Sequence, residues 1–163
     1  MSLDDAIQQI REDKDVADAA KTLLYANVTE IEAAASRHSI EADYLIESAL
    51  ETAERHLSES SDLLERVNDH WLKCDNLAGA TPYEVIVRAA EFLATALQTQ
   101  PLSEAKLREL AESSDWQDRV VAGWVVRDRE DQVAKDIARI LATDKFIDDN
   151  GFFLVREAVG VYD

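Results

Sequence analysis

The chain of 163 residues is long enough to bury a hydrophobic core without disulfides or a structural metal, and its length indicates a single domain, 1–163. Apolar residues make up 47% of it, whereas it has only four glycines and two prolines, a composition that disfavours disorder and a turn-rich β-sandwich. The net charge of −17 repels phosphate backbones and anionic lipids, so it argues against nucleic-acid and membrane partners and favours basic ones.

The cysteine count and the hydropathy pattern predict a cytoplasmic protein. A single cysteine, Cys74, excludes an internal disulfide and fits a reducing compartment. No window approaches the roughly 18 consecutive apolar residues of a membrane span. The first five residues also lack the basic and apolar stretches of a secretory signal.

Helical spacing of apolar residues predicts the elements of the N-terminal half, residues 1–80, which is the more acidic half with 18 acidic and 7 basic side chains. The predicted helices cover residues 3–12, 15–26, 40–57 and a segment from Leu64 to Trp71. Between the second and third of these, Thr29 and Glu32 form a capping box that predicts a short helix from Glu30 to about Arg37.

Acidic side chains are concentrated in the helix predicted from residue 40, and they form the candidate binding surface: Glu41, Asp43, Glu47, Glu51 and Glu54. The spacing of Ala35, Ser39 and Leu45 just before and within this helix is that of a helix-turn-helix. A recognition helix with three carboxylates near its start would repel DNA, so we expect two crossing helices without DNA binding.

Capping residues define the elements of the C-terminal half, residues 81–163. Thr81 and Pro82 predict the start of a helix that runs to about Thr99, and Pro101 follows its end. Further helices are predicted after Ser103, which Leu102 and Leu107 flank, after Ser114 with Gln117, from Asp131 to Ala142, and from Phe152 to Tyr162. The whole chain thus reads as all-α. Because neither glycine nor proline occurs between Thr29 and Leu77, some of the boundaries there could instead be continuous helix, and we expect eight or nine helices in antiparallel hairpins.

A short motif recurs in the C-terminal half. Its copies are Val87-Arg88-Ala89-Ala90, Arg119-Val120-Val121-Ala122-Gly123 and Val155-Arg156-Glu157-Ala158-Val159-Gly160, with arginines 31 and 37 residues apart. An aspartate precedes the arginine in the second and third copies, Asp115 and Asp148 or Asp149. The pattern resembles HEAT repeats, the armadillo-like helical hairpins, over residues 82–163 only. The repeat lengths are shorter than the period of roughly 40 typical of that family.

The resemblance implies a stack of helical hairpins, an α-α superhelix. It also implies that Asp115, Arg119 and Arg156 form a structural polar ladder, and that the small residues Ala122 and Ala158 lie at tight helix crossings. An irregular helix bundle is the alternative architecture.

Two further patterns could carry metal chemistry. Residues 146–157 match an EF-hand loop at Asp148, Asn150, Gly151 and Glu157, but Phe146 stands where the first calcium ligand belongs, so we expect no calcium binding. His70 and Cys74 share a helix face, yet two ligands do not make a metal site. We therefore expect no metal, no cofactor and no catalytic residue.

These observations favour a non-catalytic protein interaction module that presents an acidic surface to a basic partner. Trp116, in the first turn of its helix, is a further candidate for partner contact, or else covers the end of the core. One alternative is an immunity-type inhibitor of a basic toxin, and another is an enzyme with an unrecognised site. The sequence leaves homo-oligomerisation open.

Overall fold

The computed structural model describes residues 1–73, 82–99 and 103–161, with side chains except those of Pro82 and Tyr83. Over these residues the chain is all-α, as the sequence predicts, with ten α-helices and no strand. Four residues that the sequence analysis uses as boundaries lie outside the described residues: Thr81, Pro101, Leu102 and Tyr162.

The chain divides into two compact units, residues 1–92 and 93–163, and each is described by itself. The helices of the first unit are α1 (Leu3–Arg11), α2 (Ala17–Tyr25), α3 (Val28–Arg37), α4 (Ala42–Arg55) and α5 (Leu63–Arg66). A 3₁₀ turn covers Leu57–Glu59, and α5 continues into a π-helical segment, Val67–Leu72. The next helix, α6 (Pro82–Gln98), runs across the boundary between the units.

Large apolar side chains from α1 to α4 and from the π-helical segment fill the core of the first unit. The largest of them are fully buried, among them Ile7, Leu23, Ile31, Leu45, Leu50 and Trp71. Their spacing within each helix is the three- and four-residue spacing that places apolar side chains on one face. This core holds α4 in place and leaves its polar face outward.

Two non-glycine residues in the left-handed conformation end helices of the first unit. Asp13, with φ of 57°, follows α1, and Ser39, with φ of 53°, follows α3. In both places an amide donates to a carbonyl five residues earlier, from Lys14 to Gln9 and from Ile40 to Ala35, as in a Schellman cap. Both helices end close to the predicted positions, residue 12 and about Arg37. The break at Ser39 needs no glycine or proline, so it separates α3 from α4 where one continuous helix was also possible.

The C-terminus of α2 is capped by side chains from α5 and the π-helical segment. The guanidinium of Arg66 donates to the carbonyls of Leu24, Tyr25 and Ala26, at 3.0 to 3.2 Å. The indole of Trp71 donates to the same Leu24 carbonyl at 2.9 Å, in the buried core. The last carbonyls of a helix have no partner within the helix and carry partial negative charge, so a cation there is stabilising.

The second unit contains the end of α6 followed by α7 (Glu104–Ala111), α8 (Trp116–Val126), α9 (Gln132–Leu141) and α10 (Leu154–Ala158). Consecutive helices pack in pairs, α7 on α8 and α8 on α9, and α10 packs on α8. This arrangement is compatible with stacked helical hairpins.

Several predicted helix boundaries were wrong. Asn27 rather than Thr29 caps α3, because its Oδ1 accepts the amide of Glu30 at 2.8 Å. Ser114 does not cap α8, whose N-cap position is Asp115, and Ser113 accepts the Asp115 amide instead. The last helix is shorter than 152–162, because Gly160 adopts φ of +91° and ends it. Ser103 and Asp131 do cap α7 and α9.

A tight helix crossing in the second unit joins Gly123 of α8 to Ala158 of α10. A Cβ atom built at position 123 would lie 2.7 Å from the Cβ of Ala158, closer than real Cβ atoms approach. Ala158 is thus at a tight crossing as predicted, and its partner there is Gly123. Ala122, predicted for the same role, is also fully buried.

Asp144 joins α8 to the chain before α10. Its carboxylate accepts hydrogen bonds from Arg119 Nε at 2.7 Å and Nη2 at 3.3 Å, and both side chains are largely buried. Its backbone carbonyl accepts Arg156 Nε at 2.7 Å. Two of the recurring arginines therefore converge on one residue, which is neither Asp115 nor Asp148.

We expect Gly123→Ala to destabilise the protein. At an open helical position this change gains about 1 kcal/mol, but overpacking of a tight crossing costs about 1–3 kcal/mol. Thermal unfolding of the single variants Gly123→Ala and Ala158→Gly and of the double variant measures the coupling, and the double variant should lose less than the sum. A melting temperature raised by Gly123→Ala would contradict the crossing.

We expect Asp144→Ala to cost about 3 kcal/mol, the lower end of what removing one partner of a buried ion pair costs, because Arg119 would stay largely buried without its carboxylate. Denaturant unfolding measures the loss. Asp149→Ala, which removes an exposed carboxylate of the same connection, serves as the control and should change stability by less than about 0.5 kcal/mol. Equal losses in the two variants would rule out a joining role for Asp144.

Candidate functional site

The predicted acidic residues lie on or next to α4, and four of them share one face of it. Asp43, Glu47, Glu51 and Glu54 follow one another at four- and three-residue steps, the spacing of neighbours on a helix surface. We call these four residues the acidic stripe. Glu41 is the exposed N-cap residue of α4, and its side chain makes no capping hydrogen bond.

α4 presents the acidic stripe outward because its opposite face is apolar and buried. The buried apolar residues are Leu45, Ile46, Ala49, Leu50 and Ala53, packed into the core of the first unit. Asp43 also lies in the first turn, where the helix dipole favours a carboxylate. The local sequence therefore determines both the helix and the direction of its charged face.

A residue from α6 adds to the negative charge around the acidic stripe. The carboxylate of Glu84 is close enough to raise the pKa of both Asp43 and Glu47 by repulsion. The sequence analysis missed Glu84, which is about forty positions away in the chain. It was visible only as one more carboxylate in the first turn of the helix predicted from Pro82.

Burial is the first cause of the raised pKa values in the acidic stripe. For Asp43, burial raises the pKa most, and Glu84, Glu41 and Glu32 add to the shift. For Glu47, burial again raises the pKa most and the positive charge of Arg88 opposes it, while the neighbouring carboxylates add to the rise. Both carboxylates are therefore harder to ionise here than in water.

A cation from α6 meets the acidic stripe, and two carboxylates share it. Arg88 of α6 lies 3.2 Å from the carboxylate of Glu51 and 2.9 Å from that of Glu91. Among the described residues, no lysine or arginine is bonded to Asp43 or Glu47. Arg88, the arginine of the first copy of the recurring motif, thus contacts the candidate surface.

Trp116, the other candidate for partner contact, is half-buried at the start of α8. Its ring stacks on Phe146 with the ring centres 4.4 Å apart and the planes 6° from parallel. One ring face is thus covered from within the second unit. A partner-facing role for Trp116 stays a prediction.

The two candidate metal patterns contain residues with other roles. Asp148 Oδ1 accepts the amides of Asn150 and Phe152 at 2.9 and 2.8 Å, so this carboxylate holds a turn. Burial of Glu157 raises the pKa of that side chain, and the charge of Asp148 adds to the rise. His70 packs edge-on against Trp71, and burial lowers its pKa, while Cys74 lies outside the described residues. No three potential ligands gather around one point in the described part of the chain.

We expect Glu47→Gln to stabilise the protein at pH 7. The folded-state pKa of Glu47 is raised above its unfolded value near 4.3, so ionisation at higher pH opposes folding, and the amide removes that opposition. The gain in melting temperature over wild type should disappear below about pH 4, where Glu47 is protonated in both states. Glu130→Gln, with the same change in net charge at an exposed loop position, should show a smaller gain.

The comparisons with known proteins give no match. No protein-family model matches the sequence, and neither a curated protein nor a solved structure is similar enough to count as a relative. The resemblance to HEAT repeats therefore stays a prediction. Within the described residues, no helix is long and apolar enough to cross a membrane.

Proposed function

We propose that the protein is a non-catalytic interaction module that binds a basic protein through the acidic stripe of α4. The observation that carries the proposal is the raised pKa of Asp43 and Glu47 beside Glu84, with no lysine or arginine bonded to either carboxylate in the described chain. Carboxylates whose pKa is perturbed by burial and by neighbouring charges are found at functional positions more often than at ordinary solvated ones.

Electrostatic crowding gives a reason for a cationic partner. Each carboxylate that is held ionised at pH 7 against burial and repulsion raises the free energy of the unbound protein. A lysine or arginine brought next to Asp43 or Glu47 would remove that unfavourable interaction in the complex. Relief of the unfavourable burial and repulsion of these carboxylates thus contributes favourably to the binding free energy.

The sign of the surface also selects among classes of partner. DNA, RNA and anionic vesicles carry the same charge as the acidic stripe and would gain nothing from counterion release. A basic protein would be attracted over about a Debye length, roughly 8 Å at physiological salt, and would associate faster for it. The interaction should therefore depend steeply on ionic strength.

The test is the association rate of a short peptide of alternating arginine and glycine with two triple variants. In the first variant Glu41, Asp43 and Glu47 become lysine, which should slow association several-fold because the attracting field at α4 is reversed. In the second, Glu112, Asp128 and Glu130 become lysine. These three residues are exposed on the second unit, so the net charge changes equally while the acidic stripe stays intact.

Association rates are measured by stopped flow at about 50 and about 500 mM salt, with circular dichroism to verify helix content. The proposal requires a slower rate for the first triple variant than for the second, and a difference that shrinks at high salt. Equal rates for the two variants would show that only the net charge matters and that α4 is not the binding surface.

A further inference from the structure

A cleft of about 240 Å³ lies beside the acidic stripe in the first unit. One complete face of α4 forms its floor, from Tyr44 through Glu47, Ser48, Glu51 and Thr52 to Arg55. The end of α1 and the turn after it form a wall with Ile10, Asp13 and Lys14, and Arg88 reaches in from α6. Glu47 and Glu51 belong to both the cleft and the acidic stripe.

The three cationic side chains that line the cleft already form ion pairs within the protein. Each is bonded to a carboxylate, Lys14 to Glu12 at 2.9 Å, Arg55 to Asp15 at 3.1 Å and Arg88 to Glu51 at 3.2 Å. Arg55 also donates to Thr52 Oγ1 at 3.2 Å. An anionic ligand would have to break these pairs, so the lining does not favour one.

Two lining carboxylates remain without a bonded cation among the described residues, Asp13 on the wall and Glu47 on the floor. Tyr44, which is 56% exposed, lines the cleft together with these two carboxylates. An aromatic ring attracts a cation to its face, and a carboxylate binds the same cation by charge-assisted hydrogen bonds. Asp13, Glu47 and Tyr44, the lining groups without a bonded cation among the residues that the structure describes, are thus all groups that attract a positively charged ligand.

The size of the cleft limits the occupant. Pockets for drug-sized ligands measure about 300–1,000 Å³, so a cleft of about 240 Å³ suits a group no larger than a single long side chain. An open cleft of this size beside a charged surface resembles the pocket that one anchoring residue of a protein partner fills.

We propose that this cleft receives one arginine side chain of the basic partner, with the guanidinium bound between the Tyr44 ring and the Glu47 carboxylate. The inference rests on the proposed function and names the group by which the partner is anchored. Arginine is preferred over lysine because its planar guanidinium stacks on aromatic rings, pairs with a carboxylate through two N–H groups and is less strongly hydrated.

Binding of a side chain in the cleft acts over a shorter distance than electrostatic attraction by the acidic stripe. Attraction by the whole stripe acts before contact and increases the association rate, whereas a filled cleft acts after contact and slows dissociation. Replacing Tyr44 by leucine changes neither the number nor the positions of the carboxylates and cations, so it leaves the long-range field of the acidic stripe in place.

The experiment uses the full chain and three peptides that differ at one central residue, arginine, lysine or the neutral arginine analogue citrulline, in an otherwise uncharged glycine-serine sequence. NMR titration of wild type should show saturable shifts of the backbone amides of Asp13, Tyr44, Glu47 and Ser48 with the arginine peptide. We expect weaker binding of the lysine peptide and no saturable shifts with citrulline. Tight binding of citrulline, or shifts scattered over other acidic surfaces, would overturn the proposal.

Variants separate the cleft from the acidic stripe. Tyr44→Leu should weaken binding of the arginine peptide about two- to fivefold, as expected for loss of an exposed cation–π contact. Glu47→Gln should weaken binding of this peptide at least as much. Tyr25→Leu, at an exposed tyrosine of α2 outside the cleft lining, is the matched control and should bind like wild type.

The same variants distinguish the failure of this inference from that of the proposed function. If Tyr44→Leu binds the arginine peptide like wild type while the triple reversal at α4 still slows association, the cleft is wrong and the acidic stripe stands. If neither change has an effect, both fail. A Tyr44→Leu variant with faster dissociation and an unchanged association rate supports the cleft.

Discussion

Carboxylates outnumber lysines and arginines by two to one in this chain, 34 against 17, so even complete pairing would leave half of the carboxylates without a cation. The positions of the cations therefore decide which parts of the surface are neutralised. Several arginines lie at joints between elements rather than spread over the surface. Arg66 caps the end of α2, and Arg119 binds the carboxylate of Asp144. These contacts hold helices together in a protein whose surface charge repels itself.

The acidic stripe of α4 results from this uneven distribution of the cations. Its apolar face is needed for the core, so the charged face stays outward whatever the neighbouring elements carry. The start of α6 then brings Glu84 toward the same carboxylates, and Arg88, one turn later, brings a positive charge. A lysine in place of one of these acids would relieve the repulsion among them. The proximity of several carboxylates is what makes this face the best candidate for a partner.

The sequence could predict the parts of this arrangement that depend on local spacing. The acidic stripe follows from carboxylates three and four residues apart on one amphipathic helix, and the caps at Ser103 and Asp131 follow from single residues. Glu84 could not be assigned to the site, because its approach to Asp43 depends on how α6 packs on α4. The ends of α1 and α3 were predicted closely, at residue 12 and about Arg37, but the left-handed conformation of Asp13 and Ser39 that follows them was not, since it is usually left to glycine. The bond between Arg119 and Asp144 joins positions that no repeat pattern pairs.

Glu47 is the residue at which the two proposed interactions meet, and the physics of each explains why both are needed. A field from several carboxylates falls off slowly with distance but discriminates poorly, since any basic surface is attracted by it. A cleft that holds one guanidinium against the Tyr44 ring acts only at contact, yet it distinguishes arginine from lysine by shape. Because the acidic stripe leads directly into the cleft along one helix, a partner drawn in by charge arrives where its side chain can be recognised. An acidic surface without such a cleft would associate fast with basic proteins and would also dissociate from them fast.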